Sequence, residues 1–224
     1  MGQRSRLGAA LAMLTVHNLT QNTFLNERGY VAASLTAAAG MISLGRDAGL
    51  GWDDMSLTCG DRARTCGVGL AAVALGTAGV FLALTEPARP YLRDDRAPLG
   101  SRGRTAIRAL TRFPLGTALF EEVAFRGVLP ALLRQSGWKR PHIAAATIFG
   151  VWHLLPTYQA LRTNQIGASA QQRLIGVVLG STAAGVAGHG LELVRRYTGG
   201  LVGPWIVHSS INASAYLASV IART

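Results

Sequence analysis

Apolar residues run along this chain in stretches of about 16–22, and charged residues gather in the short segments between them. That length suits the roughly 30 Å hydrocarbon core of a bilayer. A helix on a soluble core would instead show one polar stripe along its length. Residues 30–44, 68–84, 113–133, 142–161, 174–193 and 201–221 are the clearer runs, and residues 7–24 form a less apolar first one, interrupted by His17, Asn18, Gln21 and Asn22. The pattern predicts an all-α fold, a polytopic transmembrane bundle of six to eight membrane helices. The period-two alternation of a membrane β-barrel is missing. Residues 46–64 read as a polar loop, and residues 87–112 as a basic linker. Ile107 and Leu110 among its arginines suggest a helix lying at the membrane surface.

Composition sharpens this picture. Of 224 residues 49% are hydrophobic and 15% charged, against about 25% charged in soluble domains. The net charge of +11 would suggest nucleic acid in a soluble protein. Here the arginines stand at the ends of apolar runs, so membrane lipids are the expected partners and nucleic acid is not. Arginine bias puts the 87–112 linker in the cytoplasm, and with it residues 162–173 and the C-terminus. Residues 1–6 resemble the start of a signal peptide, but no cleavage site of small residues follows, so the first run is read as a membrane segment. Cys59 and Cys66 are placed together in the 46–64 loop region without a CxxC pattern, as two thiols or one disulfide.

Ionisable groups inside apolar runs are costly and mark function. Three clusters stand out. Glu121, Glu122 and Arg126 fall in the 113–133 run. Glu122 and Arg126, spaced i,i+4, share a helix face, whereas Glu121 is turned about 100° away. Phe149 and His153 are also i,i+4, as are His208 and Asn212. Pro130, Pro156 and Pro204 lie near the clusters and predict kinked motif helices around a wet cavity. His17, His142 and His189 read as hydrogen-bonded core residues. Gly176 and Gly180 form a small-xxx-small packing pair.

In order, Glu121-Glu122-Val123-Ala124-Phe125-Arg126, Phe149-Gly150-Val151-Trp152-His153 and His208-Ser209-Ser210-Ile211-Asn212 resemble the EExxxR, FxxxH and HxxxN motifs of the CAAX-protease and bacteriocin-processing (CPBP) family. The resemblance spans a core at 98–224. Residues 1–97, N-terminal membrane helices and the start of the linker, carry no motif. The resemblance implies peptide-bond hydrolysis within a membrane, on a membrane-associated peptide or protein. Arginine over lysine and the abundance of Ala and Gly suggest the inner (plasma) membrane of a high-GC bacterium.

Peptide hydrolysis needs an activated water, an oxyanion donor and a proton for the leaving amine. The expected roles are Glu121 as base assisted by His153, Glu122 with Arg126 as electrostatic support, His208 and Asn212 as oxyanion donors, and Phe149 as packing or a substrate contact. Two histidines and a carboxylate are also a known catalytic zinc set. His153, His208 and Glu121 or Glu122 could hold such a divalent metal, and the choice between metal and glutamate chemistry stays open. The rival classes are a non-enzymatic binding or immunity protein and a proton-coupled transporter. An inverted repeat would favour the transporter, and none is visible.

Overall fold

The computed structural model describes residues 2–25 and 27–224. Its elements are helices, with no strand among the described residues. Helices α1 (Gln3–Thr23), α2 (Glu27–Asp47) and α3 (Arg62–Leu82) are followed by the short α4 (Arg89–Leu92). The next column is composite. It starts as α5 (Arg102–Thr111), passes through a π-helical turn (Arg112–Ala118), α6 (Leu119–Glu122) and a second π turn (Val123–Val128), and ends as α7 (Leu129–Gln135). Then come α8 (Pro141–Trp152), α9 (Leu154–Thr163), α10 (Ala170–Thr198) and α11 (Val202–Ala222).

Helices α3 and α10 are each long and apolar enough to cross a membrane. Their outer faces carry Leu70, Val73, Leu75 and Phe81, and Leu174, Val178, Leu179 and Val186, all exposed. Water would not tolerate so continuous an apolar surface, whereas lipid does. Helices α1, α2 and α11 are as long as α3 but carry more polar residues. In α1 and α11 several of these point inward: Asn18 and His208 are buried, and Gln21, Asn22 and Asn212 line a cavity.

Local chemistry sets the helix ends. Asp61 accepts a hydrogen bond from the Arg64 backbone and caps α3, so this helix starts well before the apolar run at 68. Cys66 therefore lies in α3, apart from Cys59 in the preceding loop, and both thiols are free and exposed. Ser169 and Gln172 form a capping box at the start of α10, and Gly199 ends that helix in the left-handed conformation at φ 78°.

Close approach between helices depends on absent side chains. A Cβ on Gly150 would sit 2.9 Å from the Ser181 carbonyl oxygen and 3.2 Å from the Gly185 Cα, so α8 and α10 meet backbone to backbone. Gly176 and Gly180 instead leave room for side chains of α9, those of Leu161 and Thr157. The main core joins α1, α2, the composite column and α8 through Leu14, Met41, Phe120, Phe125, Leu132 and Phe149.

The connections sort into two ends. At one end Asp95 of the linker bonds Asn164 of the α9–α10 connection, and Arg223 at the C-terminus pairs with Asp95. The linker, the 164–169 connection and the C-terminus thus share one side, as the alternation of apolar runs predicts. At the other end the loop after α2 meets the end of α10, with Thr58 donating to the Gly199 carbonyl and Arg195 to Ser56. Arg6 pairs with Asp47 near that end, which puts the start of α1 opposite the C-terminus.

Two motif helices differ from simple proline kinks. The 113–133 run is rewound by π turns, which have no proline requirement and recur at functional sites. The 142–161 run is broken at His153, between α8 and α9. Pro156 has no N–H for the Trp152 carbonyl four residues earlier; Asn18 of α1 supplies the missing donor, its Nδ2 2.8 Å from that oxygen.

Candidate active site

The composite column brings Glu121 and Glu122 to the middle of the bundle in the single turn of α6, between the two π segments. Both carboxylates are buried, at 4% and 1% exposure. Glu122 Oε1 lies 3.1 Å from Arg126 Nη1 and 2.7 Å from His208 Nδ1. A carboxylate only accepts, so Nδ1 carries the proton and the imidazole is held in one orientation. Its other nitrogen, Nε2, then faces Glu121, 3.6 Å from Oε2. The two adjacent carboxylates do not point to separate places; they take opposite nitrogens of one ring.

Arg126 is itself fixed on three sides. Besides Glu122, its Nη2 donates to the Gly188 carbonyl at 3.1 Å, and its guanidinium lies over the Phe149 ring at 4.4 Å. Gly188 permits this, since a Cβ there would be 2.8 Å from Phe149 and 3.2 Å from Arg126. Phe149 therefore packs the ion pair, and its ring stands edge-on to His208 with centroids 6.5 Å apart. The carbonyl of Phe149 accepts from His153 Nδ1 at 2.8 Å, which leaves the His153 Nε2 as an acceptor.

A cavity of about 750 Å³ opens beside this cluster, and Glu121, His153, His208 and Asn212 all line it. Glu122, Arg126 and Phe149 stand behind as its buried support. Glu121 Oε2 is buried without a protein hydrogen-bond partner, although it belongs to a cavity wall. Such a group faces a steep desolvation cost unless water or substrate meets it.

The fit of a divalent metal rests on the donors. His208 gives Nδ1 to Glu122 and His153 gives Nδ1 to a carbonyl, so each keeps its Nε2 uncommitted, as metal-bound histidines do. Among the described residues no group of three or more His, Cys, Asp or Glu side chains is arranged to hold an ion. His153, His208 and Glu121 or Glu122 are thus not gathered as one ligand set here, although both Nε2 atoms stay open to a ligand, and no step below passes through a metal.

Other site residues carried faint sequence signals. Gln21, Asn22, Tyr30 and Gln159 line the cavity as well. The polar interruptions of the 7–24 run are thus its inward face, and their period on α1 was the available clue. His17 packs on Phe120 with ring centroids 4.0 Å apart. His142 bonds Glu192, 2.9 Å away, in a separate cluster with Arg195 and Arg196, and so belongs to structure at the other end of the bundle.

Comparison of the whole chain with curated proteins and with solved structures gives no match. Residues 104–214 match the model of the Rce1-like family, described as type II CAAX prenyl endopeptidase. That stretch starts in α5 and ends in α11, so it takes in all three motifs and every wall that carries them. By that match, laid over motifs that meet in one cavity, the chain belongs to the CPBP family of CAAX-type membrane endopeptidases.

Proposed function

We propose that this protein hydrolyses peptide bonds of a membrane-associated peptide or protein by water activated at Glu121. The observation that carries the reading is Glu121 Oε2, buried, without a protein partner, and opposite His208 Nε2 across 3.6 Å. A water there gives a proton to Glu121 while its oxygen bonds the scissile carbonyl carbon. The carbonyl π pair moves to oxygen, and that oxyanion is met by the Asn212 amide and by His208 as the imidazolium, whose Nε2–H then donates beside the Nδ1–H held by Glu122. Collapse of the intermediate breaks the C–N bond, and the proton held by Glu121 passes to the leaving amine. His153, with Nε2 left as acceptor, assists in holding the water. Glu122 and Arg126 position His208 and do not touch substrate.

The setting is the inner membrane of a bacterium, with lipid around α3 and α10 and with the 87–112 linker and C-terminus in the cytoplasm, by the arginine bias of that end. The test is cleavage of a hydrophobic membrane peptide by purified protein in detergent, beside Glu121→Gln. The variant keeps size and hydrogen bonding, and its rate is expected to fall by about 10²–10⁴-fold at unchanged thermal stability. Full activity in Glu121→Gln would remove Glu121 from the mechanism and favour a peptide-binding protein.

A further inference from the structure

Helix α1 lies outside the 104–214 match and carries none of the three motifs, yet it is built onto the site at the break between α8 and α9. Leu14, Asn18 and Asn22 are spaced four residues apart and share one face of α1. The Trp152 indole donates to the Leu14 carbonyl at 3.1 Å, and the Asn18 amide donates to the Trp152 carbonyl at 2.8 Å. One turn further along α1, the Asn22 carbonyl accepts from Gln159 at 2.9 Å. The Asn22 amide donates to Asn18 Oδ1 at 2.7 Å, which turns the Asn18 nitrogen toward Trp152. This face thus spans the break, holding Trp152 before it and Gln159 after it.

The break decides how the His153 ring is held. The Trp152 carbonyl and the His153 N–H belong to one planar peptide unit, so a donor that fixes the carbonyl also fixes the N–H. That N–H is shared, 3.0 Å from the Gly150 carbonyl and 3.2 Å from that of Phe149. His153 has ψ −2°, where a regular helix has roughly −42°. The Phe149 carbonyl, only partly used by the backbone, accepts His153 Nδ1 at 2.8 Å. Without Asn18 the buried Trp152 carbonyl has to turn toward cavity water for a donor. The His153 N–H turns with it, and the ring loses the geometry that leaves Nε2 open to the cavity. Asn18 itself is buried, behind the lining that Gln21 and Asn22 give to the cavity.

We propose that Asn18 is a positioning residue for the reaction. With Asn22 behind it, its amide splints the break at Trp152 and holds the His153 ring on the Phe149 carbonyl, Nε2 toward the cavity. This rests on the hydrolytic reading above for the role of His153, so the test follows the ring as well as the rate.

Wild type, Asn18→Ala, Asn18→Ala with Pro156→Ala, and His153→Gln are compared in detergent on one hydrophobic membrane peptide. Asn18→Ala is expected to lower kcat by up to about 10²-fold, the cost of a misplacement near 1 Å, with KM unchanged because Asn18 does not touch substrate. In the double variant residue 156 regains an N–H for the Trp152 carbonyl. Its thermal midpoint should recover while kcat stays low, since the peptide unit before His153 is then set by the helix and not by α1. Recovery of both would make Asn18 structural only and overturn the proposal, as would a wild-type kcat in Asn18→Ala. The ring is read by diethyl pyrocarbonate, which acylates an open imidazole nitrogen, with mass spectrometry at His153 and with the exposed His189 as internal control. His153 is expected to react severalfold more slowly in both Asn18 variants, with His189 unchanged. Unaltered reactivity of His153 overturns the proposal whatever the thermal midpoints do. Full cleavage by His153→Gln, or no cleavage by wild type, with His153 reactivity still dependent on Asn18, would count against the hydrolytic reading and leave the splint standing.

Discussion

Glu122 and His208, from the composite column and the last helix, meet at 2.7 Å, with Arg126 on the same carboxylate oxygen at 3.1 Å. This contact ties the first motif to the third and fixes which imidazole nitrogen faces Glu121. Its components are almost entirely removed from solvent, Arg126 at 2% and Glu122 at 1% exposure. Buried pairs of this kind add little when intact but are costly to halve.

Arg126→Ala should therefore act on folding as well as chemistry. It leaves Glu122 with only His208 and removes the side-chain donor that ties the column to the Gly188 carbonyl of α10. The expected loss is about 3–5 kcal/mol, read as a large drop in thermal midpoint in detergent together with lost cleavage. Arg126→Lys should recover part of the stability, since an ammonium can keep Glu122 but not the fork that also serves Gly188. An Arg126→Ala protein as stable as wild type would show that the pair is dispensable for the bundle.

The break at His153 yields a second prediction. Asn18 donates to the Trp152 carbonyl because Pro156 cannot. Asn18→Ala should cost about 1–3 kcal/mol, the penalty of an unpaired buried acceptor. Pro156→Ala restores a backbone N–H at that place. In its background Asn18→Ala should cost clearly less, and a double-mutant cycle in thermal denaturation measures the difference. Additive effects would mean that the two residues do not share that carbonyl.

The legibility of this fold followed periodicity. Glu122 and Arg126, Phe149 and His153, His208 and Asn212 were readable because i,i+4 spacing places each pair on one helix face, and the structure brings all three pairs to one cluster. Glu121 was harder. Its 100° offset does turn it toward the cavity wall and away from Glu122, but the imidazole of His208 lies between the two carboxylates and presents one nitrogen to each, a long-range placement with no local sign. Asp61 was a legible cap, yet the start of α3 was set by the apolar run at 68 and not by the cap at 61, which misplaced Cys66. The polar residues of α1 looked like defects of a membrane segment because partners such as the Trp152 carbonyl for Asn18 and the Gln159 amide for Asn22 lie more than 130 residues away in sequence. Long-range partnership of this sort leaves no local trace.

Sidedness gives a third prediction. Ser101 caps α5 at the linker end, and Cys59 and Cys66 are exposed near the opposite end. In membrane vesicles of known orientation, an impermeant thiol reagent should label the native cysteines only from the side opposite the cytoplasm. Ser101→Cys in a Cys59→Ser, Cys66→Ser background should label from the cytoplasmic side only. Labelling of both sets from one side would contradict the antiparallel order of the helices, and a swap of sides would reverse the assigned orientation.

The linker over the cavity carries a pH-dependent contribution whose sign can be worked out. Residues 93–98 are held largely by polar bonds. The Asp94 backbone N–H donates to Ser219 at 2.8 Å, Asn164 donates to the Asp94 carboxylate at 2.9 Å, and Arg96 pairs with it. Asp95, Ser219 and Arg223 are the other polar groups against it. Burial alone would raise the Asp94 carboxyl, but the bonds from Arg96 and Asn164 outweigh it and bring it down to about 2 from 3.8. A carboxyl depressed on folding stabilises the native state above its unfolded value and loses that contribution as pH falls through its folded value. The Asp94 contribution should therefore be complete above about pH 4 and fade toward pH 2. Thermal midpoints of wild type and Asp94→Asn, measured from pH 6 to pH 2, should differ by a constant amount down to about pH 4 and converge below it. A gap that stays constant to pH 2 would show that the carboxylate charge does not hold the linker in place.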